Sequence, residues 1–491
     1  MTSDVQLSRQ RRLTVLAICC MSIFVVSLDN TIVNVALPSI RRDLDASVTQ
    51  LQWTVDAYTV VLASLLVLSG SIADRLGRAR IFQVGLVLFT VGSLLCSAAP
   101  TASWLIVFRM VQAVGGSMLN PVAMSIIRNT FRDERERAQA IGVWGGVVGL
   151  SMALGPILGG VLIAAADWRA IFWVNAPVGL LAVVLVHRFV PESRAPTARR
   201  VDLVGQMLVI LGLGSLTYAI IEAGSAGWTS PRVLVCAVVA VSALVLFVAY
   251  ELRRPEPLLD PRFFRSIPFS GAALVAVLAF TALGGFLFLT NLYLQGDRGL
   301  SPLHAGLYTL PMAVSAFFAA PLSGRLVGTR GGRLPMVVGG AGLAVGSVML
   351  TGLTPTTSTD WLLTAYLIFG LGFGMVNPPI TNTAVSGMPG AQAGVAAAIA
   401  STSRLVGLSL GVAISGAVVV AGRGAATTSV AQASHPAWWI SVGCGLAVVA
   451  LGFASTSARA LRTARAVARS EGAWPKVASE EGAVASARIT P

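Results

Sequence analysis

Four charged side chains stand inside runs that are otherwise apolar: Asp29, Asp56, Arg109 and Arg404. A charge in hydrocarbon is costly, so each asks for a partner and a reason. If the runs are membrane helices rising ~1.5 Å per residue, Asp29 lies ~12 Å below the outer surface, Asp56 ~8 Å and Arg109 ~9 Å. Three charges on three helices then share one layer, where two carboxylates and a guanidinium offset one another's desolvation. The chemistry this allows is proton binding. A carboxylate that meets water on one side and is buried on the other can take up a proton in one state and release it in the next, with Arg109 as the counter-charge. The same residues would also serve as a static ion pair, Arg109 acting as a permanent brace. Arg404 falls ~14 Å from the inner end of its run, near the midplane. It could attract an anion or polar group of a transported molecule, or bond helix-end carbonyls and nearby polar groups such as Asn377 and Thr381.

The elements that must position these charges follow from composition. Of 491 residues, 55% are hydrophobic and 11% charged, whereas a soluble chain carries about 25% charged residues. A bilayer-spanning helix needs ~20 mostly apolar residues. Fourteen such spans are predicted, at roughly 13–37, 51–72, 81–99, 103–127, 138–164, 169–190, 203–223, 232–250, 270–294, 304–324, 334–353, 361–382, 395–420 and 436–457. The apolar run after Arg9–Arg12 reads as the first span rather than a cleaved leader, because it is long and contains Asp29. With both termini cytoplasmic, 27 Lys and Arg fall inside and 6 outside, which sets the orientation.

The net charge of +14 does not imply nucleic acid, because the basic residues punctuate spans and form no patch. Cys19, Cys20, Cys96, Cys236 and Cys444 all lie in apolar runs and read as packing thiols. Three scattered histidines suggest no metal site, and no nucleophile–base pair suggests an enzyme. No cofactor is implied. Expected partners are the lipid bilayer and protons, with the chain a monomer in a bacterial cytoplasmic membrane. The use of 34 Arg against one Lys fits a high-GC genome.

The chain repeats itself. Met118-Leu119-Asn120-Pro121 returns as Met375-Val376-Asn377-Pro378, at an offset of 257; Ala138–Val143 returns from Ala391, at 253; Gly70 in the loop after span 2 returns as Gly324, at 254. Spans 2, 4 and 5 thus pair with 10, 12 and 13. The predicted organisation is a cytoplasmic segment 1–12, a six-helix bundle 13–190, two inserted helices 203–250, a second six-helix bundle 270–457 and a disordered basic tail 458–491. Parallel six-helix repeats place a site between the halves near the midplane.

Two further stretches point to moving parts. Gly70-Ser-Ile-Ala-Asp74-Arg75-Leu-Gly77-Arg78-Ala-Arg80 forms a tight cytoplasmic turn. There Asp74, Arg75 and Arg78 can pair with neighbouring helices in one conformation, as a latch for alternating access. Gly149, Gly155, Pro156, Gly159 and Gly160 give the fifth span close packing and a bend. Candidate cavity-lining groups are Asn34, Gln112, Trp144, Asn291, Tyr293 and Asn377, with Arg404.

On these residues the sequence resembles the major facilitator superfamily, and within it the fourteen-span drug:proton antiporters. Leu28–Pro38 is similar to that family's first-helix signature, Gly70–Arg80 to its loop motif and Arg109–Gly116 to its fourth-helix motif. Gly155–Gly160 and Trp168–Pro177 fit as well. The resemblance implies an all-α fold of two six-helix repeats with two extra helices between them. It implies proton-driven export of amphiphilic, often cationic drugs, with Asp29, Asp56 and Arg109 coupling the proton. The chain departs from the pattern in lacking a carboxylate in span 10 and carrying Arg404 in span 13. That favours neutral, zwitterionic or anionic amphiphiles. A dedicated exporter of one metabolite, antibiotic or envelope lipid would use the same scaffold.

Overall fold

The computed structural model describes residues 8–131, 133–194, 202–254, 257, 259–386, 393–422 and 429–471, and among them it is helical with no strand. Lipid offers no partner for a free backbone amide, so apolar runs of this length satisfy their own groups as helices. The N-terminal half comprises α1 (Arg9–Asp43), α2 (Val48–Leu76), α3 (Arg78–Ser97), α4 (Ala102–Thr130), α5 (Glu134–Ala165), α6 (Ala170–Trp173) and α7 (Asn175–Phe189). Two helices follow, α8 (Leu203–Ala226) and α9 (Pro231–Glu251). The C-terminal half comprises α10 (Ile267–Leu292), α11 (Pro302–Arg330), α12 (Arg333–Leu350), α13 (Thr359–Ser386), α14 (Ala393–Gly422) and α15 (Val430–Ser455), and α16 (Ala458–Glu471) ends the described chain.

Among the described residues thirteen spans are long and apolar enough to cross a membrane, α6 and α7 together making one of them. The expected fifth span falls on α5, 32 residues long, whose described apolar stretch is Leu154–Ala165. Capping side chains set several boundaries: Ser47 and Gln50 form a reciprocal capping box on α2, and Thr101 caps α4.

The two halves meet along two seams, α5 with α11 and α2 with α14. Close approach needs glycine at the first. A Cβ on Gly160 would stand 2.6 Å from Leu303 Cα, and one on Gly306 would strike the Pro156 carbonyl. At the second seam Gln52 Nε2 donates to the Ala413 carbonyl at 2.8 Å. Just past the end of α10, Gln295 Nε2 donates to the Val35 carbonyl of α1 at 2.8 Å. All of these contacts lie toward the helix ends that the arginine distribution assigns to the outer side. Toward the cytoplasm the seam of α5 opens, and no described residue lies within 4 Å of a Cβ at Gly142 or Gly146. The molecule is therefore closed outside and open inside.

α8 flanks the α2–α14 seam, with Gln206 Nε2 on the Ser64 carbonyl at 2.5 Å and Gly224 against the Ala417 backbone. α9 covers α8 and turns Val235, Val238, Val241, Leu244 and Val245 outward, each 60% exposed or more, as a lipid-facing helix requires.

Two expectations are corrected here. Gly70 is not in a loop; it lies within α2, packed on Pro121, and Gly324 lies within α11. The turn is made at Gly77 instead, whose φ of +118° is open to glycine and costly for any other residue. Nor is the basic tail disordered from 458. Ala458–Glu471 is a helix, because its arginines repeat on one face while Ala460, Ala464 and Val467 fall on the other. Its Thr463 hydroxyl accepts from the Ile267 amide at 3.0 Å, docking it on the start of α10. Residues 472–491 lie outside the described residues.

Candidate functional site

Asp29 is fully buried in the middle of α1. Helices α3, α4 and α7 converge on it. Arg109 Nη1 donates to Asp29 Oδ2 at 2.5 Å and to Gln112 Oε1 at 2.7 Å. Gln112 Nε2 closes the ring on Asp29 Oδ1 at 2.9 Å. Arg109 and Gln112 are three positions apart, so both point from one face of α4 toward α1. Asn175, at the start of α7, donates to Asp29 Oδ1 at 3.3 Å and to Ser93 Oγ at 2.9 Å, and Ser93 in turn donates to the Phe172 carbonyl. Arg109 also donates from Nε to the Thr54 carbonyl at 3.2 Å, and its guanidinium carbon lies 4.0 Å from the Tyr58 ring centre. A buried charge is tolerated when it has a partner and its hydrogens are bonded; here Asp29 is the partner, and Arg109 Nη1 and Nε both donate.

Asp56 does not join this ring. It faces the other way, across the α2–α14 seam, where the group that interacts with it is Ser409. Neither of its oxygens accepts a hydrogen bond of ordinary geometry from a described residue. The shared layer expected of the three charges thus splits. Equal depth does not fix direction, and on α2 Tyr58 takes the face toward Arg109, leaving Asp56 on the seam.

A cavity of about 320 Å³ lies between the halves. Among the described residues its wall includes Thr31, Gly142, Gly146, Pro156, Leu283, Phe317, Phe373 and Asn377, and no carboxylate.

The Major Facilitator Superfamily profile matches residues 19–412. The chain belongs to this superfamily. Among its relatives, the multidrug resistance protein Stp of Mycobacterium tuberculosis is 35% identical, covering 84% of this chain and 77% of its own length. The puromycin resistance protein of Streptomyces alboniger is 39% identical over 79% of this chain and 78% of its own. The multidrug efflux pump LfrA of Mycolicibacterium smegmatis is 35% identical over 83% and 80%. A bacterial homologue of the human lysosomal transporter Spinster, solved inward-facing and occupied, shares the fold at a TM-score of 0.66 and 17% identity, over 96% of this chain and all of its own.

Within this facilitator the sequence-predicted lining residues scatter. Asn377 lines the cavity, with Oδ1 lacking a partner among the described residues. Gln112 does not line it, being a member of the Asp29 ring. Trp144 packs against the core of the N-terminal half. Asn34 and Asn291 are buried about a turn beyond Thr31 and Leu287, in the closed outer layer. Tyr293 stands still further out, its hydroxyl donating to the Thr354 carbonyl at 2.7 Å. Arg404 is not in the cavity wall; it is bonded to Thr381, four residues inward of Asn377 on α13.

The glycine motif of α5 serves two neighbours. Gly155 and Gly159 pack on Thr31 and Ile32 of α1, while Pro156 and Gly160 meet α11. Gly149 is on the same helix, its surroundings outside the described residues.

The cytoplasmic turn also differs from expectation. Among the described residues Asp74 of α2 pairs only across the turn itself, with Arg78 at the start of α3 at 2.7 Å, and Arg75 is exposed. The link to neighbours comes from Glu192, after α7, whose carboxylate accepts from the Ala79 and Arg80 amides at 3.1 Å each. That is an anion on a helix N-terminus. A second link, Arg12 with Glu136, ties α1 to α5 at 2.5 Å. The sequence reading missed Glu192, Ser93 and Tyr58. Asn175 was visible only as part of a motif.

Proposed function

We propose that the chain is a proton-coupled antiporter of a bacterial cytoplasmic membrane, exporting amphiphilic drugs or antibiotics by alternating access, with fourteen spans and as a monomer. The observation that carries this reading is the buried Asp29–Arg109–Gln112 ring, packed directly behind the helix, α1, that presents Thr31 to the cavity. The names of the relatives, several of them resistance or efflux proteins, support the substrate class.

The geometry suggests how coupling works. With Asp29 ionised, Arg109 and Gln112 hold α1 against α4. A proton on Asp29 removes the charge that Arg109 pairs with. Arg109 then keeps only the Thr54 carbonyl and Gln112, and α1 is freed to shift against α5 at Gly155 and Gly159. Because α5 also holds α11 through Gly160, a movement of α1 reaches the seam between the halves. Asp56, on the second seam, is placed to register the same movement from the other side. No bound cofactor is needed; the coupling ion is H⁺.

The test is purified protein in liposomes with an imposed pH gradient and an internal pH dye, challenged with ethidium, a fluoroquinolone and an anionic amphiphile. Substrate-triggered proton release in wild type, lost in Asp29→Asn, supports antiport. Equal substrate movement without a gradient or proton flux makes the chain a uniporter or lipid carrier and the ring a brace. A response to only one compound of a wide panel marks a dedicated exporter.

A further inference from the structure

Arg109 and Arg404 are the two guanidiniums set within the spans, and the structure treats them oppositely. Arg109 has Asp29 at 2.5 Å. Arg404, on α14, has no ion pair among the described residues. Its Nη2 donates to the Thr381 hydroxyl at 2.5 Å, its guanidinium carbon lies 5.9 Å from the Phe280 ring centre, and its Nε has no partner among the described residues. A neutral hydroxyl and a ring face do not neutralise a charge held in a low-dielectric interior, so an unpaired guanidinium there is costly unless a ligand supplies the anion.

The position suits such a ligand. Thr381 and Asn377 are four residues apart on α13 and share a face. Asn377 lines the cavity. Phe280 packs edge-on against Phe373, another cavity wall, with ring centres 5.1 Å apart. Arg404 therefore stands one helical turn inward of the wall, on the cytoplasm-open side where a substrate would enter. The wall itself is mostly apolar, with Leu283, Leu287, Met312, Phe317 and Phe373, and among its described residues holds no carboxylate to attract a cation.

We propose that Arg404 is the anchor of an anion subsite, so that the chain selects amphiphiles carrying one carboxylate or similar anionic head on a compact apolar body. This rests on the export reading above. The head pairs with Arg404, Nε completing a charge-assisted bond that the protein leaves open. The body lies against Phe373 and Phe317 in the 320 Å³ cavity.

Three dansyl probes of similar shape separate the possibilities: dansylglycine (an anion), its neutral amide and the cation dansylcadaverine. Binding is measured by equilibrium dialysis to the full chain in nanodiscs, against empty-disc blanks. Wild type is expected to bind the acid at least tenfold more tightly than the amide, with the cation weakest. Arg404→Gln should erase that preference while leaving amide binding in place, and Arg404→Lys should keep part of it. Equal binding of acid and amide by wild type overturns the proposal without reliance on any variant. So does a uniform loss in Arg404→Gln when that protein still elutes and melts as wild type does. Proton release in liposomes keeps the two readings apart. Release by the amide but not by the acid sinks the anion subsite and leaves antiport standing. Acid-selective binding with no proton release by any probe sinks antiport and leaves the subsite.

Discussion

At the scale of single residues, two buried carboxylates in adjacent helices make opposite demands. Asp29 is held by Arg109, Gln112 and Asn175, so Asp29→Asn leaves the Arg109 charge buried without its partner. Breaking such a pair costs about 3–5 kcal/mol, and the variant should melt well below wild type as well as lose substrate-triggered proton release. Asp56 has no donor of ordinary geometry among the described residues. Asp56→Asn removes a costly charge and breaks no ion pair. Its melting point should equal or exceed that of wild type, while proton release falls if Asp56 takes part in coupling. Scanning fluorimetry and the liposome assay together separate the two roles. A parallel drop in stability for both variants would mean that Asp56 has a partner in another state of the transporter.

At the scale of elements, the turn between α2 and α3 depends on Gly77, and the seam between α5 and α11 on Gly160 and Gly306. Gly77 takes a φ of +118°, and a Cβ there would sit 2.6 Å from Glu192 Cδ. Gly77→Ala combines backbone strain, of order 1–3 kcal/mol, with displacement of the carboxylate that caps α3. Lower thermal stability and slower transport are expected, and an unchanged melting curve would argue against the cap. At the seam, Gly160 admits the Leu303 backbone. Gly160→Leu should prevent outer closure and hold the molecule outward-open. Spin labels at Ala166 and Ser301, the residues flanking α5 and α11, would then show a longer distance than in wild type. An unaltered distance would place the hinge elsewhere.

For the whole molecule, the two halves touch on the outer side through Gln52, Gln295 and the glycine seam, and part toward the cytoplasm. α8 lies along one seam, held by Gln206 on the Ser64 carbonyl, so the inserted pair does more than connect the halves. α16 caps the inner end of α10 through Thr463. Ending the chain after Ser457 removes that bond, worth about 0.5–1.5 kcal/mol. It should lower the melting point modestly and leave substrate-triggered proton release intact. Complete loss of transport in a folded truncation would give α16 a part in the cycle.

Much of this was legible in the sequence because lipid removes choices. A run of apolar residues without water to bond must be helical, so spans such as 81–99 and 334–353 needed only composition, and the arginines at their ends set direction. The repeat of Asn120-Pro121 as Asn377-Pro378 marked the two halves, and both pairs stand inside helices, α4 and α13. The cost of charge in hydrocarbon singled out Asp29 and Arg109 before any contact was known. What remained was rotation and docking. Gln112 turns to Asp29 rather than the cavity, Trp144 packs into the core of its own half, and Asp56 faces Ser409 instead of Arg109. Glu192, far from the turn in sequence, supplies its link to the neighbouring helices. The apolar content of a segment fixes that it crosses the membrane. Which face it shows to which neighbour is decided by where glycines let backbones approach and where polar groups find partners, and those are properties of the assembled bundle.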